Sequence, residues 1–391
     1  MNGKNSIAFV MDTMDVGGVE KALIELLKAF DYSQYDVTLW LKDANGPLQN
    51  QIDHHVKIEY WGCTDTKRIL IEQIQAGEIA GFFRGIFYRI LSRIHVSEYD
   101  LNALYSVKCL PLCSDGCYDC VIAYQVLSPA VVANALYRLN GRKKILWVHG
   151  RNVRPKKLNS FFDREYCKFD LIACVSESTR QEFGHVFFKA SKKTQVLYNL
   201  LSTKEITIQS DDQVNWIPQN TAIVTVGRLV SIKGQAMIPQ TTRLLLNAGY
   251  DVSWYLVGDG PLRETIEAEI QKYDVAERVI LLGTQTNPYP YIKNCDIYVQ
   301  TSFSEGYCTT TMEAKILHKP IVTTDAPGMR EQFVSGENGL IVDAMTPEAL
   351  FGGIRTLLDH PELREKFVEN LSHEVCDNSG ELQKLSDFIE S

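Results

Sequence analysis

The stretch Ala222-Ile223-Val224-Thr225-Val226-Gly227-Arg228-Leu229-Val230-Ser231-Ile232-Lys233-Gly234 decides the fold. Residues 222–226 form a short, β-branched apolar run, the signature of a buried strand. Gly227 ends the run, a loop with two cations follows, and residues 234–248 read as a helix. Strand, glycine turn and helix in immediate succession are the repeating element of a parallel α/β sheet. Downstream the alternation continues. Strands are expected at 252–257, 279–282, 297–300, 321–323 and 339–342, and helices at 262–273, 347–358 and 363–371. Upstream the same pattern predicts strands at 7–11, 35–41, 120–124, 144–149, 171–175 and 196–199. Residues 19–30 carry apolar side chains at helical spacing, and Ser176 is placed as a helix N-cap. The polar stretch 202–220 reads as a linker. The pattern predicts two doubly wound, Rossmann-like domains facing across a cleft. They are expected over residues 1–203 and 204–375, with 376–391 a terminal helix packing back on the first domain. Ligands of such sheets bind outside the carboxyl ends of the strands, so the cleft is the expected site.

The chain has 391 residues and a net charge of −8, unevenly spread. Residues 1–205 carry 26 Lys and Arg against 22 Asp and Glu; residues 206–391 carry 14 against 26. An acidic second half argues against a nucleic-acid partner. No apolar run is long enough to span a bilayer, and the N-terminus reads as a first strand, not a signal peptide. These features favour a cytoplasmic protein. Its ten cysteines are then expected to be reduced. Cys109, Cys113, Cys117 and Cys120 are close in sequence but lack paired metal-knuckle spacing, and Cys120 belongs to a strand. A metal there remains open.

Five short constellations carry chemistry. Arg228 and Lys233 follow a strand end, where an Arg fork and a Lys point charge suit a diphosphate, although a solvated basic turn has the same composition. Val257-Gly258-Asp259-Gly260-Pro261 is a strand-to-helix turn whose glycines let backbone N–H groups approach a ligand. In Ser304-Glu305-Gly306-Tyr307-Cys308-Thr309-Thr310-Thr311-Met312-Glu313-Ala314 a helix is expected to begin near Tyr307 or Cys308. Its N-terminus can receive a phosphate, and Glu305 and Glu313, eight residues apart, can share a helix face. Trp147-Val148-His149-Gly150 puts a histidine at a strand's carboxyl end, where a structural role competes with a functional one. Gly17-Gly18 follows the first strand without the spacing of a dinucleotide fingerprint.

Taken as a set, these motifs resemble the retaining glycosyltransferases of family 4, which have the GT-B fold. Gly17-Gly18-Val19-Glu20, Trp147-Val148-His149-Gly150, Val226-Gly227-Arg228-Leu229, Lys233-Gly234, Val257 to Leu262 and Glu305-Gly306 to Glu313-Ala314 carry the likeness. Lys319-Pro320-Ile321-Val322 and Glu337-Asn338-Gly339-Leu340 extend it. The resemblance implies that Arg228 and Lys233 bind the donor diphosphate and Glu305 holds donor-sugar hydroxyls. It puts the backbone of Gly306, Tyr307, Cys308 and Thr309 at the phosphates and Glu313 at the ribose. Gly258, Thr284 and Gln285 fall along the donor, with the loop 283–285 where the family reads the base. His149 resembles the family's histidine beside the donor sugar, and Gly18 falls in the loop over the diphosphate. The family requires no metal, so no cofactor is expected and the UDP-sugar is a substrate. Three features depart from the family pattern: His318 where many relatives have Gly, Lys315 for the commoner Met, and a more polar Thr309-Thr310-Thr311. Such variants resemble enzymes that build capsular and other bacterial surface polysaccharides. The implied reaction moves a sugar from a nucleotide diphosphate sugar to a glycan or lipid-linked saccharide, through a same-face substitution assisted by the leaving group.

Residues 82–94 are apolar and aromatic, with three arginines and no acid, and residues 142–157 hold seven Lys and Arg and no acid. Both suit peripheral contact with an anionic membrane on its cytoplasmic face, and a core helix with snorkelling arginines is the competing reading. A sugar-nucleotide epimerase of similar fold and a non-catalytic UDP-sugar-binding partner are the alternatives of other classes. A metal-dependent GT-A enzyme would want an Asp-x-Asp motif at a strand end, which the chain does not offer at 12–15.

Overall fold

The computed structural model describes residues 4–62, 79–94, 99–108, 110, 112–150 and 158–391. Two compact units emerge, Met1–Leu200 together with Ser379–Ser391, and Leu201–Asn378.

The first unit is built on β1 (Asn5–Val10), β2 (Tyr35–Leu41), β3 (Lys57–Tyr60), β4 (Cys117–Ala123), β5 (Asn140–Val148), β6 (Leu171–Cys174) and β7 (Thr194–Val196). They form one sheet in the order β3-β2-β1-β4-β5-β6-β7, and every pairing is parallel. Its helices are α1 (Gly18–Ala29), α2 (Ile79–Ile94), α3 (Tyr99–Lys108), α4 (Pro129–Tyr137), α5 (Asn159–Tyr166) and α6 (Glu177–Val186). Ile7, Ala8, Phe9 and Val10 are all fully buried, as expected of a strand covered by helices on both faces. The sequence pattern did not point to β3. Lys57-Ile58-Glu59-Tyr60 is short and polar, which an edge strand tolerates because one side meets no further strand.

The second unit holds β8 (Thr221–Val226), β9 (Val252–Val257), β10 (Val279–Gly283), β11 (Ile297–Gln300), β12 (Ile321–Thr324) and β13 (Leu340–Val342). Its helices are α7 (Thr203–Gln209), α8 (Ile238–Asn247), α9 (Arg263–Lys272), α10 (Tyr289–Lys293), α11 (Thr309–Ile316), α12 (Met329–Gln332), α13 (Pro347–Asp359) and α14 (Pro361–His373). The sheet is parallel throughout, in the order β10-β9-β8-β11-β12-β13. Alternate side chains of β8 enter two different cores: Ile223 packs with Leu256 and Val299, while Ala222, Val224 and Val226 pack with Tyr298 and Ile321. A strand buried on both faces must be apolar at nearly every position, which is why 222–226 was so readable.

Three expectations need correction. The helix read at 234–248 begins only at Ile238, because Gly234 adopts a left-handed φ of 66° between two single 3₁₀ turns. The stretch 202–220 is not all linker: Ser202 caps α7 by accepting from the Glu205 N–H at 3.2 Å. The helix after β11 starts at Thr309, with Cys308 as its N-cap, so Glu305 lies in a loop and shares no helix face with Glu313.

The last helix, α15 (Gly380–Glu390), belongs to the first unit. Leu385 and Ile389 are buried, Tyr35 donates to Glu390 at 2.7 Å, and Lys143 donates to the Phe388 carbonyl at 2.6 Å.

Candidate active site

In the second unit the strand order reverses between β8 and β11. Chain from β8 runs outward to β9 and β10, then returns to β11 on β8's other side. The loops leaving these two strands therefore splay apart and leave a crevice at their carboxyl ends. The loop after β8 carries Arg228 and Lys233; the loop after β11 carries Glu305.

The structure joins them. Lys233 Nζ donates to both Glu305 oxygens, at 2.7 and 2.9 Å. The two loops are also stitched through backbone. Thr301 Oγ1 donates to the Lys233 carbonyl at 2.7 Å, and the Phe303 N–H to the Ile232 carbonyl at 2.8 Å. Gly234 is required at this crossing. A Cβ there would lie 2.1 Å from the Thr301 carbonyl oxygen. Gly258 plays the same part on the other side, where a Cβ would lie 2.1 Å from the Gly227 carbonyl. Its N–H donates to Gly283 at 2.8 Å, tying the β9 turn to the end of β10. Gly258 thus serves as a packing residue of the strand-end layer.

The charges are sheltered unequally. The Glu305 side chain is 9% exposed and that of Lys233 23%. Burial pulls the Lys233 pKa down, but the adjacent Glu305 carboxylate outweighs it and holds the ammonium above its ordinary value. Lys233 is therefore a fixed cation with an open flank. Arg228 is exposed, and its guanidinium has no ion-pair partner among the described residues, so it adds a second cation at the same strand end.

The first turn of α11 completes the site. Cys308 caps it without a side-chain bond, so the first-turn N–H groups of α11 receive no acceptor from the cap side chain. The Cys308 thiol is buried; desolvation, then the Glu305 carboxylate, push its pKa up to about 11, so it stays a neutral thiol. Tyr307 accepts from Asn378 at 3.2 Å through its hydroxyl. Glu313 is only 3% exposed, within α11. On the far side of the sheet end, Thr284 is exposed just past β10, and Gln285 turns back to donate to the Leu282 carbonyl at 2.9 Å.

Three residues outside the motifs, Tyr298, Gln300 and Ser302, join Thr310 in tying this site together. Gln300 donates to Ser302 at 2.8 Å and to Glu305 at 3.3 Å, and accepts from Tyr298 at 3.0 Å and Thr310 at 3.3 Å. Ser302 also donates to Glu305. The only hint in the sequence was a glutamine at the end of an otherwise apolar strand.

The departures at Lys315 and His318 have local causes. Lys315 is buried, donates to the Gln332 carbonyl at 2.8 Å and pairs with Glu374, joining α11 to α12 and α14. His318 adopts φ 52° just beyond α11. Its N–H donates to Lys315 and the Lys319 N–H to Ala314, the paired bonds of a Schellman ending, where glycine is the usual residue.

In the first unit, His149 follows β5 and packs edge-on against Tyr124 at 4.5 Å between ring centres. Desolvation lowers its pKa to about 3, against a raising hydrogen bond with the Tyr124 backbone, so the ring is neutral at ordinary pH. Its Nε2 is buried without a partner among the described residues. Gly18 is the first residue of α1, with open space where a Cβ would stand.

The basic stretch 142–157 is largely structural where it is described. Lys144 donates to the carbonyls of Ala135, Leu136 and Leu139, capping the end of α4. Lys143 caps α15, and Arg142 pairs with Asp119 at 3.2 Å. Residues 151–157 lie outside the described residues, as do Cys109 and the side chains of Phe82 and Arg84. Cys113, Cys117 and Cys120 do not come within reach of one common ion. Among the described residues the one such group, Asp53-His54-His55, lies on the surface, and its His55 Nδ1 is already hydrogen-bonded to Asp53 at 2.8 Å. Among the described residues no helix is long and apolar enough to cross a membrane.

Solved structures give the class. Anabaena HepE, crystallised with UDP and glucose, is 18% identical and aligns with a TM-score of 0.71 over 98% of this chain and 99% of that one. At this identity the likeness establishes the fold, which is GT-B: two Rossmann-like domains. Sequence comparisons add to the fold. The model described as Glycosyl transferases group 1 matches residues 207–373, nearly all of the second unit. The N-acetylgalactosamine-N,N'-diacetylbacillosaminyl-diphospho-undecaprenol 4-alpha-N-acetylgalactosaminyltransferase of Campylobacter jejuni is 29% identical, over 52% of this chain and 54% of its own length. The capsular polysaccharide biosynthesis glycosyltransferase CapM of Staphylococcus aureus is 28% identical, over 52% and 56%. The chain thus spans about half the length of these curated relatives. Together the findings support a glycosyltransferase of GT-B fold.

Proposed function

We propose that the chain is a retaining hexosyltransferase that moves a sugar from a UDP-sugar to a lipid-linked saccharide in the synthesis of a bacterial surface polysaccharide. The observation that carries this reading is the Lys233–Glu305 pair at the switch point, beside the open first turn of α11. As the glycosidic bond to the leaving diphosphate breaks, negative charge grows on the phosphate oxygens. Lys233, Arg228 and the N–H groups at the start of α11, from Thr309 on, stabilise that charge without needing a metal. Glu305 holds hydroxyls of the donor sugar, Glu313 the ribose, and the 283–285 loop the base. By the resemblance alone, His149, kept neutral by burial, is assigned to the donor sugar and Gly18 to the diphosphate.

The acceptor assignment rests on chemistry. The C. jejuni relative is named for a diphospho-undecaprenol substrate. In this chain, α2 exposes Phe83, Phe87, Ile90 and Ile94, spaced so that they share one face, with Arg93 exposed beside them and no acid in the helix. Such a face suits an anionic lipid surface on the cytoplasmic side. A Phe83→Glu, Phe87→Glu, Ile90→Glu variant is expected to lose flotation with liposomes containing anionic lipid while still releasing UDP in solution. Unchanged flotation would reject the membrane contact. The enzymatic reading is tested by a UDP-sugar screen that measures UDP release with and without a membrane-lipid extract. Product analysis with donor alone separates a transferase from an epimerase.

A further inference from the structure

We infer that Gln300 is a positioning residue that sets the Glu305 carboxylate against Lys233 and locks it to the first turn of α11; this rests on the reading of Glu305 as a donor-sugar group. Gln300 is the last residue of β11 and is 1% exposed. A glutamine at that depth must satisfy four hydrogen-bonding positions. It does so with the bonds described above: two donated, to Ser302 and Glu305, and two accepted, from Tyr298 and Thr310.

The direction of the amide follows from chemistry. An ionised Glu305, paired with Lys233, can only accept, so the NH₂ end of Gln300 must face it. The carbonyl end then faces two hydroxyls, and both must donate. Every partner is thereby fixed by one charge. Tyr298, on the same strand, supplies a buried anchor. Thr310, in the first turn of α11, ties the helix to the amide; Thr311 behind it donates to Gln332 and to the Cys308 carbonyl. The unusual polarity of Thr309-Thr310-Thr311 has its cause here. Two of its hydroxyls are used to fasten α11 to the Glu305 loop and to α12.

The consequence is a rigid link between two parts of the donor site: the carboxylate that meets the sugar and the helix end that meets the diphosphate. Removing the link leaves Lys233 and the α11 N–H groups in place. It should therefore weaken turnover and spare affinity for UDP itself. A structural role alone would not separate the two.

The test uses the full chain, with UDP-glucose and UDP-N-acetylglucosamine as donors, UDP release as the rate, and calorimetry for UDP binding. Gln300→Leu is expected to cut turnover about 10- to 100-fold, the range for losing one oriented group, with the UDP Kd within about twofold. Gln300→Glu places a carboxyl beside Glu305. Charged, it repels; protonated, it restores a donor toward Glu305. Its activity relative to wild type should therefore rise as pH falls from 8 to 6, whereas Gln300→Leu should show no such rise. A crystal structure of Gln300→Leu, independent of any activity, should show Glu305 displaced from Lys233. Glu305 unmoved in that structure, or wild-type turnover in both variants alongside an inactive Lys233→Ala, overturns the positioning role and leaves the functional reading intact. Full activity of Lys233→Ala would instead overturn the functional reading.

Discussion

Removing the Lys233 ammonium would leave the Glu305 carboxylate with only Gln300 and Ser302 in a largely dry pocket. An uncompensated carboxylate there costs about 3–5 kcal/mol, so the folding of a Lys233→Ala variant is measured alongside its activity. The pair was half legible in the sequence. Each residue could be placed at a strand's carboxyl end, but spacing let Glu305 share a helix face with Glu313 and named no partner for Lys233. Its actual partner is 72 residues away, set by a crossover that no local pattern encodes. Gln300 was silent for a related reason. Its meaning lies in partners on β11, the following loop and α11, and a lone glutamine at a strand end reads as a surface residue. His149 was legible as a strand-end histidine but not as a neutral one. Its pKa near 3 in the fold, against an ordinary 6.5, has a measurable consequence. Between those values the unfolded chain binds a proton that the folded chain refuses, so stability is full above about pH 6.5 and falls as pH drops toward 3. His149→Asn should remove a slope of up to about 1.4 kcal/mol per pH unit over that window, read by urea unfolding at several pH values. Equal slopes in both proteins would contradict a buried, neutral His149.

Among the elements, the second unit's strands were read to within about a residue at each end, because unbroken apolar runs mark them, whereas β4 and β5 begin at Cys117 and Asn140, in polar residues ahead of their apolar runs. The elements misread were those whose ends depend on backbone geometry. Gly234 holds a left-handed turn against the Thr301 carbonyl, and the helix expected from that point waits until Ile238. The edge strand β3 and the capped helix α7 were hidden by polar composition that suits an exposed edge and a short surface helix. At the end of α11 the same logic yields a prediction. His318 adopts a left-handed conformation at the position where a Schellman ending favours glycine. His318→Gly should leave the hydrogen bonds intact and stabilise the second unit by up to about 1 kcal/mol, read as a higher urea midpoint. A loss of stability would show that the His318 side chain contributes more than the backbone strain costs.

For the whole molecule, the alternation of strand and helix was enough to predict two parallel α/β domains, because connection rules leave few ways to wind such a chain. The last helix illustrates what alternation cannot give. Residues 376–391 were expected to form a helix against the first domain, but alternation does not name the side chains that hold it, Lys143 on β5 capping the helix and Tyr35 on β2 bonding its Glu390. The acidic second half also takes on a meaning. Its surplus of carboxylates lies outside the switch point, where Arg228 and Lys233 make a local cationic spot suited to a diphosphate. In the proposed function this spot, with Glu305, drives transfer from a nucleotide sugar. The most direct measurement compares UDP release by the wild-type chain and Lys233→Ala across a panel of UDP-sugars with membrane-lipid extract, with circular dichroism to verify folding. Donor-dependent release by the wild type, reduced at least about 100-fold in a folded Lys233→Ala, is the predicted result. Equal release by both, or none by the wild type from any nucleotide sugar, would contradict it.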